Sequence, residues 1–289
     1  MQVLINGLIN GLVLGLLALA FNVVYLPTRV FFVAQAGIFV LTPYVAWQLH
    51  KSGMPFPLAL ILSGLSAVLV AVSTEVLNHR PLFRRNVSGG AHLVSSLGIY
   101  IVIVQAIVMI WGAESRILRQ ALAPTVHLGP VILTQHQLMS GVFSLLFLAA
   151  FAMWLKMSAY GLRLRALSDN PSQLALYGHN VPLLRLFAFA LSGLLTAAGS
   201  ILMANDVGFD PHGGLHTILL AIVAVIIGGR SSFMAPVVGA LLLGVLRAEV
   251  VSTLSPSWAE AATFAALALV LLLRPHGIFA QSTRLEATA

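Results

Sequence analysis

The chain has 289 residues, 59% of them hydrophobic and only 8% charged, with a formal net charge of +7. A soluble domain carries about 25% charged residues, so this composition excludes a water-soluble fold and points to an integral membrane protein. The 15 Lys and Arg sit in short segments between apolar runs, as topology signals do rather than nucleic-acid contacts, and the absence of cysteine removes disulfides and thiolate metal sites.

A transmembrane helix needs roughly 20 mostly apolar residues. The first such run is Val3 to Tyr25. Ala18-Leu19-Ala20 resembles a cleavage site, but no basic residue precedes Arg29, so the run reads as a retained helix. Gly7, Gly11 and Gly15 recur every four residues and make a smooth stripe where another helix can approach, which reads first as packing. The second run, Val30 to Leu49, carries Gln35, Gly37, Thr42 and Pro43 at membrane depth. Proline removes a backbone donor, and irregular backbone at that depth is tolerated only when buried in protein or lining a cavity. The segment therefore has two readings, a path-lining helix or a kinked packing helix.

The third run spans Phe56 to Leu77 and leads into a basic loop with Arg80, Arg84 and Arg85. The fourth spans His92 to Trp111, with Ser95, Ser96 and Tyr100 near its start, and a loop from Gly112 to His136 follows with Pro124 and Pro130. The fifth spans Gln137 to Leu155. Residues Lys156 to Arg185 then form the longest strongly polar, basic interval of the chain. Within it Asn170 is placed to cap a short helix, Pro171 falls at the first helical position, and Gly178 falls just past the end. A short capped helix on one surface of a membrane protein suits a partner better than a substrate; the plain alternative is a solvated loop.

The sixth run, Leu186 to Met203, carries Gly193, Ala197 and Gly199. A turn-rich segment from Asn205 to His216 follows. Thr217 to Ile227 is apolar but too short to span alone, and it ends at Gly228-Gly229. Phe233 to Leu246 and Trp258 to Leu273 are the last runs, closed by Arg274-Pro275-His276-Gly277. The expected fold is an all-α, polytopic transmembrane helix bundle in a single domain, residues 1–289, with eight or nine transmembrane segments.

Arg29, Arg80, Arg84, Arg85, Lys156, Arg163, Arg165, Arg185, Arg230, Arg274 and Arg284 fall on one side of this arrangement. Lys51, Arg116, Arg119 and Arg247 fall on the other. The positive-inside rule makes the first side cytoplasmic, with the N-terminus outside and the C-terminus cytoplasmic. Nine crossings satisfy this; a re-entrant segment reduces the count to eight.

The chain holds no phosphate loop of the form GxxxxGK[ST], no HExxH and no GxSxG. His212 and His216 are four apart, but no carboxylate or thiolate completes a zinc set around them. Of the eight carboxylates, only Glu75 and Glu249 fall within apolar runs, both near ends. An ion-driven pump usually keeps an ionisable residue in mid-membrane. The expectation is a transport subunit that is not an enzyme, needs no cofactor or metal, and takes its energy from elsewhere. The rival readings are a stand-alone secondary transporter, marked by an essential mid-membrane charge, and an intramembrane enzyme, marked by a reactive Ser–His pair.

The stretch GLRLRALSDNPSQLALYGHNV, Gly161 to Val181, resembles the cytoplasmic coupling segment of branched-chain amino acid ABC transporter permeases, with its G-x-x-x-R-A, acidic or amide pair, and G-x-x-V. INGLINGLVLGLLALAFNVVY resembles that family's first helix, FALSGLLTAAGSILMA the helix after the coupling segment, LLAIVAVIIGGRSSFMAPVVGALLLGVL its Gly-Gly region, and LRPHGIF its closing motif. The resemblance runs from Ile5 to Phe279. It implies a multi-pass subunit of the bacterial inner membrane. Such a subunit works in the lipid bilayer with a second homologous permease, two cytoplasmic ATP-binding subunits and a periplasmic or otherwise extracytoplasmic substrate-binding protein. In residues 156–185 it implies ATPase coupling through Arg163, Arg165, Asp169, Asn170, Leu174, Tyr177 and Gly178, with Leu174 and Tyr177 on one docking face. One departure stands out. Where the family's second helix carries N-F-A-H-G-E, this chain has Phe32-Val33-Ala34-Gln35-Ala36-Gly37. The path implied through Gln35, Gly37, Thr42 and Pro43 is less polar and uncharged. Branched-chain amino acids lead as substrate; other amino acids, amides, urea and small carboxylates stay open.

Overall fold

The computed structural model describes the chain except residues 119–123, 129–130, 230–231, 276 and 280–289, and the side chains of residues 127 and 128. Arg119, Pro130, Arg230, His276 and Arg284 lie outside the described residues. Among the described residues twelve α-helices follow one another: α1 (Gln2–Thr28), α2 (Gln35–Lys51), α3 (Phe56–Thr74), α4 (Arg80–Arg84), α5 (Gly89–Trp111), α6 (Gln135–Met157), α7 (Ala159–Asp169), α8 (Pro171–Leu176), α9 (Val181–Asp206), α10 (Gly213–Gly228), α11 (Ala235–Thr253) and α12 (Trp258–Leu273). A π-helical turn, Glu75–His79, joins α3 to α4, so that Phe56–Arg84 is one continuous helical rod. Among the described residues six helical stretches are long and apolar enough to cross a membrane. The fold is an all-α polytopic bundle.

Several boundaries differ from the sequence expectation. The loop after Trp111 contains an antiparallel hairpin, β1 (Thr125–Leu128) with β2 (Val131–Thr134). The second helix begins at Gln35 rather than Val30. Residues 29–34 are irregular although Val30, Phe32, Val33 and Ala34 are buried. Their backbone groups find partners: Ala34 N–H donates to Ser96 Oγ at 2.8 Å, and Val30 N–H donates to Thr28 Oγ1 at 3.2 Å. This is irregular backbone covered by protein, the first of the two conditions that a bilayer allows. The run Thr217 to Ile227 belongs to a helix of 16 residues, α10, roughly 24 Å long against a hydrocarbon core of about 30 Å.

Helix α1 stands at the centre. Every residue from Leu16 to Val24 is buried, and α1 touches α6, α7, α9, α10 and α11. The glycine stripe is where α11 lies against it. A Cβ on Gly7 would sit 2.9 Å from Val245 Cα, one on Gly11 2.9 Å from Leu241 Cα, and one on Gly15 3.4 Å from Val237 Cγ1. Rising numbers on α1 meet falling numbers on α11, so the pair is antiparallel. Gly244 returns the contact, its Cα facing the Gly7 carbonyl and Gly11. The stripe is therefore a packing device, as read from the sequence.

The bundle has two distinct ends. At one, Gln2 Nε2 donates to Ile132 O of the hairpin at 3.0 Å, Arg116 N–H donates to Phe209 O at 2.8 Å, and His216 lies 3.7 Å from Glu260. At the other, α7 and α8 pack beside the end of α6 and the start of α9, and Ile278 N–H donates to Ile227 O at 3.0 Å. Placing a side chain in the α1–α11 contact overpacks backbone against backbone. Gly11→Val should lower unfolding stability by about 1–3 kcal/mol, whereas Gly64→Ala, where a Cβ meets nothing within 4 Å, should not. Thermal unfolding of the two purified variants in detergent checks this; equal midpoints would show that α11 has room to move away.

Candidate functional site

Residues 156–185 form three capped pieces. Ser158 Oγ accepts from Gly161 N–H at 2.9 Å and starts α7. Asn170 Oδ1 accepts from Gln173 N–H at 3.0 Å and starts α8, with Pro171 at the first helical position. Asn180 Oδ1 accepts from Leu183 N–H at 3.1 Å and starts α9. A side-chain acceptor at each entry satisfies amide donors that a helix leaves open. The exit of α8 is a Schellman turn: Gly178 N–H donates to Ala175 O at 3.0 Å and His179 N–H to Leu174 O at 3.3 Å. Gly178 has φ +79°, and a Cβ there would meet nothing within 4 Å. The need for glycine is conformational, not steric.

This arrangement corrects the expected docking face. Leu174 is only 6% exposed and packs with Leu164, Leu167 and Leu184 in the core cluster that continues into α1. It anchors α8 to the bundle and is turned away from any partner. Leu176 at 87% and Tyr177 at 82% exposure are the side chains that α8 presents. Asp169 and Asn170 are exposed. The Arg163 guanidinium lies 5.1 Å over the Tyr160 ring. Arg165 is half-buried, and among the described residues its Nε has no acceptor.

The candidate path residues also sit elsewhere than expected. Gln35 and Thr42 are wholly buried, and Gly37 and Pro43 are buried with them. Gln35 Nε2 donates to Leu17 O at 3.2 Å, and Thr42 Oγ1 donates to Ile38 O at 2.7 Å, closing a bond within its own helix. A Cβ on Gly37 would sit 3.0 Å from Ile103 Cδ1 of α5. None of the four lines the cavity between α1, α9, α10 and α11. Within this chain α3, α5, α9 and α10 enclose α2.

A polar cluster that the sequence hid lies near the coupling end. Arg185, one turn into α9, closes the polar interval in the sequence and counts there among the basic topology signals. Its side chain turns inward, and Nε donates to Glu75 Oε1 at 2.9 Å, with side-chain exposures of 6% and 2%. Beside this pair His79 Nδ1 lies 3.2 Å from His92 Nδ1, and Ser95 Oγ donates to Asn78 Oδ1. The π-turn carries Glu75 and His79 together, α5 brings His92 and Ser95, and α9 brings Arg185. A lone buried charge is prohibitive; here each group has the other as its hydrogen-bond partner. The only sequence signal was a carboxylate in an apolar run and an arginine just inside the next helix, 110 positions away.

At the opposite end a cavity of about 550 Å³ opens between α1, α9, α10 and α11. Its walls include Leu14, Leu17, Leu202 and Leu220, and polar side chains are interspersed among them, Asn10, Asp206, His216 and Arg247 included. The chain thus has an exposed, capped helix at one end and a small-molecule-sized hollow at the other.

Comparison with known proteins agrees with this layout. The family model described as branched-chain amino acid transport system / permease component matches residues 3–273. The chain belongs to that family. The high-affinity branched-chain amino acid transport system permease protein BraD of Pseudomonas aeruginosa is 23% identical over 291 residues, covering 96% of this chain and 95% of its own. The corresponding permease protein LivH of Escherichia coli is 23% identical over 298 residues, covering 96% and 94%. A shorter likeness joins the chain to the autoinducer 2 import system permease protein LsrC of Yersinia pestis, 30% identical over 127 residues, 41% of this chain and 36% of that one. PsaBC from Streptococcus pneumoniae, solved in complex with a Fab, shares the fold with a TM-score of 0.54 at 14% identity, covering 96% and 94%. The chain is a multi-pass membrane permease, and the relatives are transport subunits, not enzymes.

Removing one member of the Glu75–Arg185 pair should be far worse than removing both. Glu75→Leu leaves a buried guanidinium unpaired and should cost about 3–5 kcal/mol, while Glu75→Leu combined with Arg185→Leu should recover most of it. Unfolding midpoints of the purified permease measure both, and a double variant no more stable than the single one would deny the pairing.

Proposed function

We infer that the chain is the membrane-spanning permease subunit of an ABC importer in the bacterial inner membrane, moving branched-chain amino acids or a related small polar solute. It acts as one permease domain beside a second homologous permease. Two cytoplasmic ATP-binding subunits and an external substrate-binding protein complete the importer. The observation that carries this reading is α8. A six-residue helix is too short to hold itself in water, yet this one is capped at entry and exit, anchored through Leu174, and displays Leu176 and Tyr177 to the outside. Exposed apolar side chains on a fixed, charged surface suit a partner. Family membership supports an ATPase as that partner. The charge asymmetry supports a cytoplasmic position for this end and an external one for the end with the hairpin and the cavity.

A stand-alone secondary transporter would need an ionisable group free to change its charge inside the membrane. Glu75 is the best candidate, and it is held by Arg185. A wider substrate range has one observation in its favour, the partial likeness to an autoinducer permease.

Two measurements test the reading. Single cysteines at Ser172 and Thr125 should react with an impermeant thiol reagent in intact cells only at position 125; labelling at 172 with 125 silent would invert the orientation. In the reconstituted importer, Tyr177→Asp and Gly178→Val should leave membrane insertion intact but weaken ATPase docking about tenfold or more. Gly178→Val acts by forcing a β-branched residue into the left-handed region, at a cost of about 1–2 kcal/mol. Full stimulation of ATP hydrolysis by loaded binding protein in both variants would remove α8 from the coupling role.

A further inference from the structure

The rod Phe56–Arg84 is 29 residues long. At 1.5 Å per residue that is about 43 Å, against a hydrocarbon core of about 30 Å. Its apolar part, Phe56 to Leu77, fills the core by itself, so the basic residues that follow fall at head-group depth. There Val76, Arg80, Pro81, Arg84 and Arg85 line an open hollow of about 380 Å³. Arg80 and Arg84 are four apart and share one helix face. Phe83 faces the bundle instead, with the Arg185 guanidinium 4.4 Å over its ring. Asn86, at φ +50°, ends the helix just past Arg85; asparagine is one of the few residues that enter the left-handed region readily.

Three guanidiniums thus share one hollow, and the chain supplies no anion for it. No carboxylate occurs from Val76 to Ala113. Glu75, just before the pocket lining, is buried and held by Arg185. Among the described residues Arg80, Arg84 and Arg85 make no ion pair. Like charges this close repel one another, and an anion set between them reverses the sign of the interaction. Toward the core the same rod continues as an exposed apolar strip. Ile61, Leu65 and Leu69 follow at intervals of four, and Val76, two turns beyond Leu69, is exposed on the wall of the hollow itself.

We propose that Arg80, Arg84 and Arg85 bind the phosphate head group of an anionic phospholipid, in the leaflet at the α8 end of the bundle, with its acyl chains along the Ile61–Leu69 strip. A guanidinium meets phosphate oxygens through two parallel N–H donors, and basic pockets at the cytoplasmic side of transmembrane helices suit such head groups. A zwitterionic lipid brings an ammonium that the three arginines oppose. Inorganic phosphate has the head-group chemistry but nothing to lay against the apolar strip. The carboxylates of a partner protein match the charge alone, whereas a lipid matches the charge and the strip that runs from it into the core. The site requires only a chain that spans the membrane, so it stands apart from the importer reading.

The test uses the full-length chain, delipidated in a neutral detergent, with retained lipid counted by native mass spectrometry. Its probes are dioleoyl phosphatidylglycerol, dioleoyl phosphatidylcholine and inorganic phosphate. Phosphatidylglycerol should be held at least tenfold more tightly than phosphatidylcholine. Arg80→Gln combined with Arg84→Gln should remove that preference, and Arg80→Lys combined with Arg84→Lys should keep part of it. Arg274→Gln, which removes an exposed arginine outside the hollow, should leave the preference unchanged. Unfolding midpoints equal to the parent chain in phosphatidylcholine micelles show that the variants fold. Equal retention of both lipids by the parent chain overturns the site. So does an equal loss in Arg274→Gln, which would mean diffuse surface charge. Displacement of phosphatidylglycerol by equimolar inorganic phosphate would assign the arginines to a soluble anion and overturn the lipid. Glutamine variants that keep the lipid preference but no longer hold the ATP-binding subunits would assign them to a protein partner, with the same result.

Discussion

Close approach of α1 and α11 is the contact on which the bundle depends. Inside a bilayer one apolar helix face gains little by leaving lipid for another, so helices associate through fit rather than through the hydrophobic effect. Gly7, Gly11 and Gly15 on one side and Gly244 on the other remove the side chains that would hold two backbones apart. With α11 seated there, α1 becomes the axis: α6, α7, α9 and α10 all touch it, and its middle is sealed from Leu16 to Val24. Asn22, buried in that sealed stretch, donates to the Ser232 and Phe233 carbonyls and ties the entry of α11 to the same axis.

Several of the polar groups inside the bundle are answered from within the protein. The break at residues 29–34 is satisfied by Ser96 and Thr28. Glu75 and Arg185 answer each other, and the π-turn supplies the extra residue that aims Glu75 and His79 into the same interior. π-turns concentrate at functional positions. Here the turn follows α3, and through Glu75 it meets Arg185 at the start of α9, the helix that leaves residues 156–185. Arg185 is consequently a structural charge although it had counted as a topology signal, and the positive side owes its character to the remaining basic residues.

Single-residue chemistry was legible in the sequence; pair geometry was not. Apolar runs gave the long helices, the Asn170–Pro171 entry and Gly178 exit gave α8, and the four-residue glycine period gave the α1 seam. Each of these is written within one turn or one run. Leu174 and Tyr177 share a spacing but not an environment, because the spacing fixes only their relation on α8, while the burial of Leu174 depends on leucines of α7 and α9. Gln35 looked exposed to a path because polar residues in apolar runs often are; its burial comes from the enclosure of α2 by four other helices, and no local pattern states that. Glu75 and Arg185 meet only once the chain has folded back on itself.

Helix α9 connects the two functional ends. It runs from Asn180, at the coupling segment, to Asp206, on the cavity wall, 26 residues or about 39 Å. Its interior contacts leave little freedom to bend: a Cβ on Gly193 would lie 2.9 Å from Ala67 O of α3, and one on Gly199 2.8 Å from Leu17 Cδ2 of α1. No proline interrupts it after Pro182, and kinks have identifiable causes such as proline. A helix fixed on two faces responds to a push at its first turn by shifting or rotating as a rod. Arg185 sits in that first turn and Asp206 at the last, so the ion pair with Glu75 and one wall of the cavity are carried on a single helix.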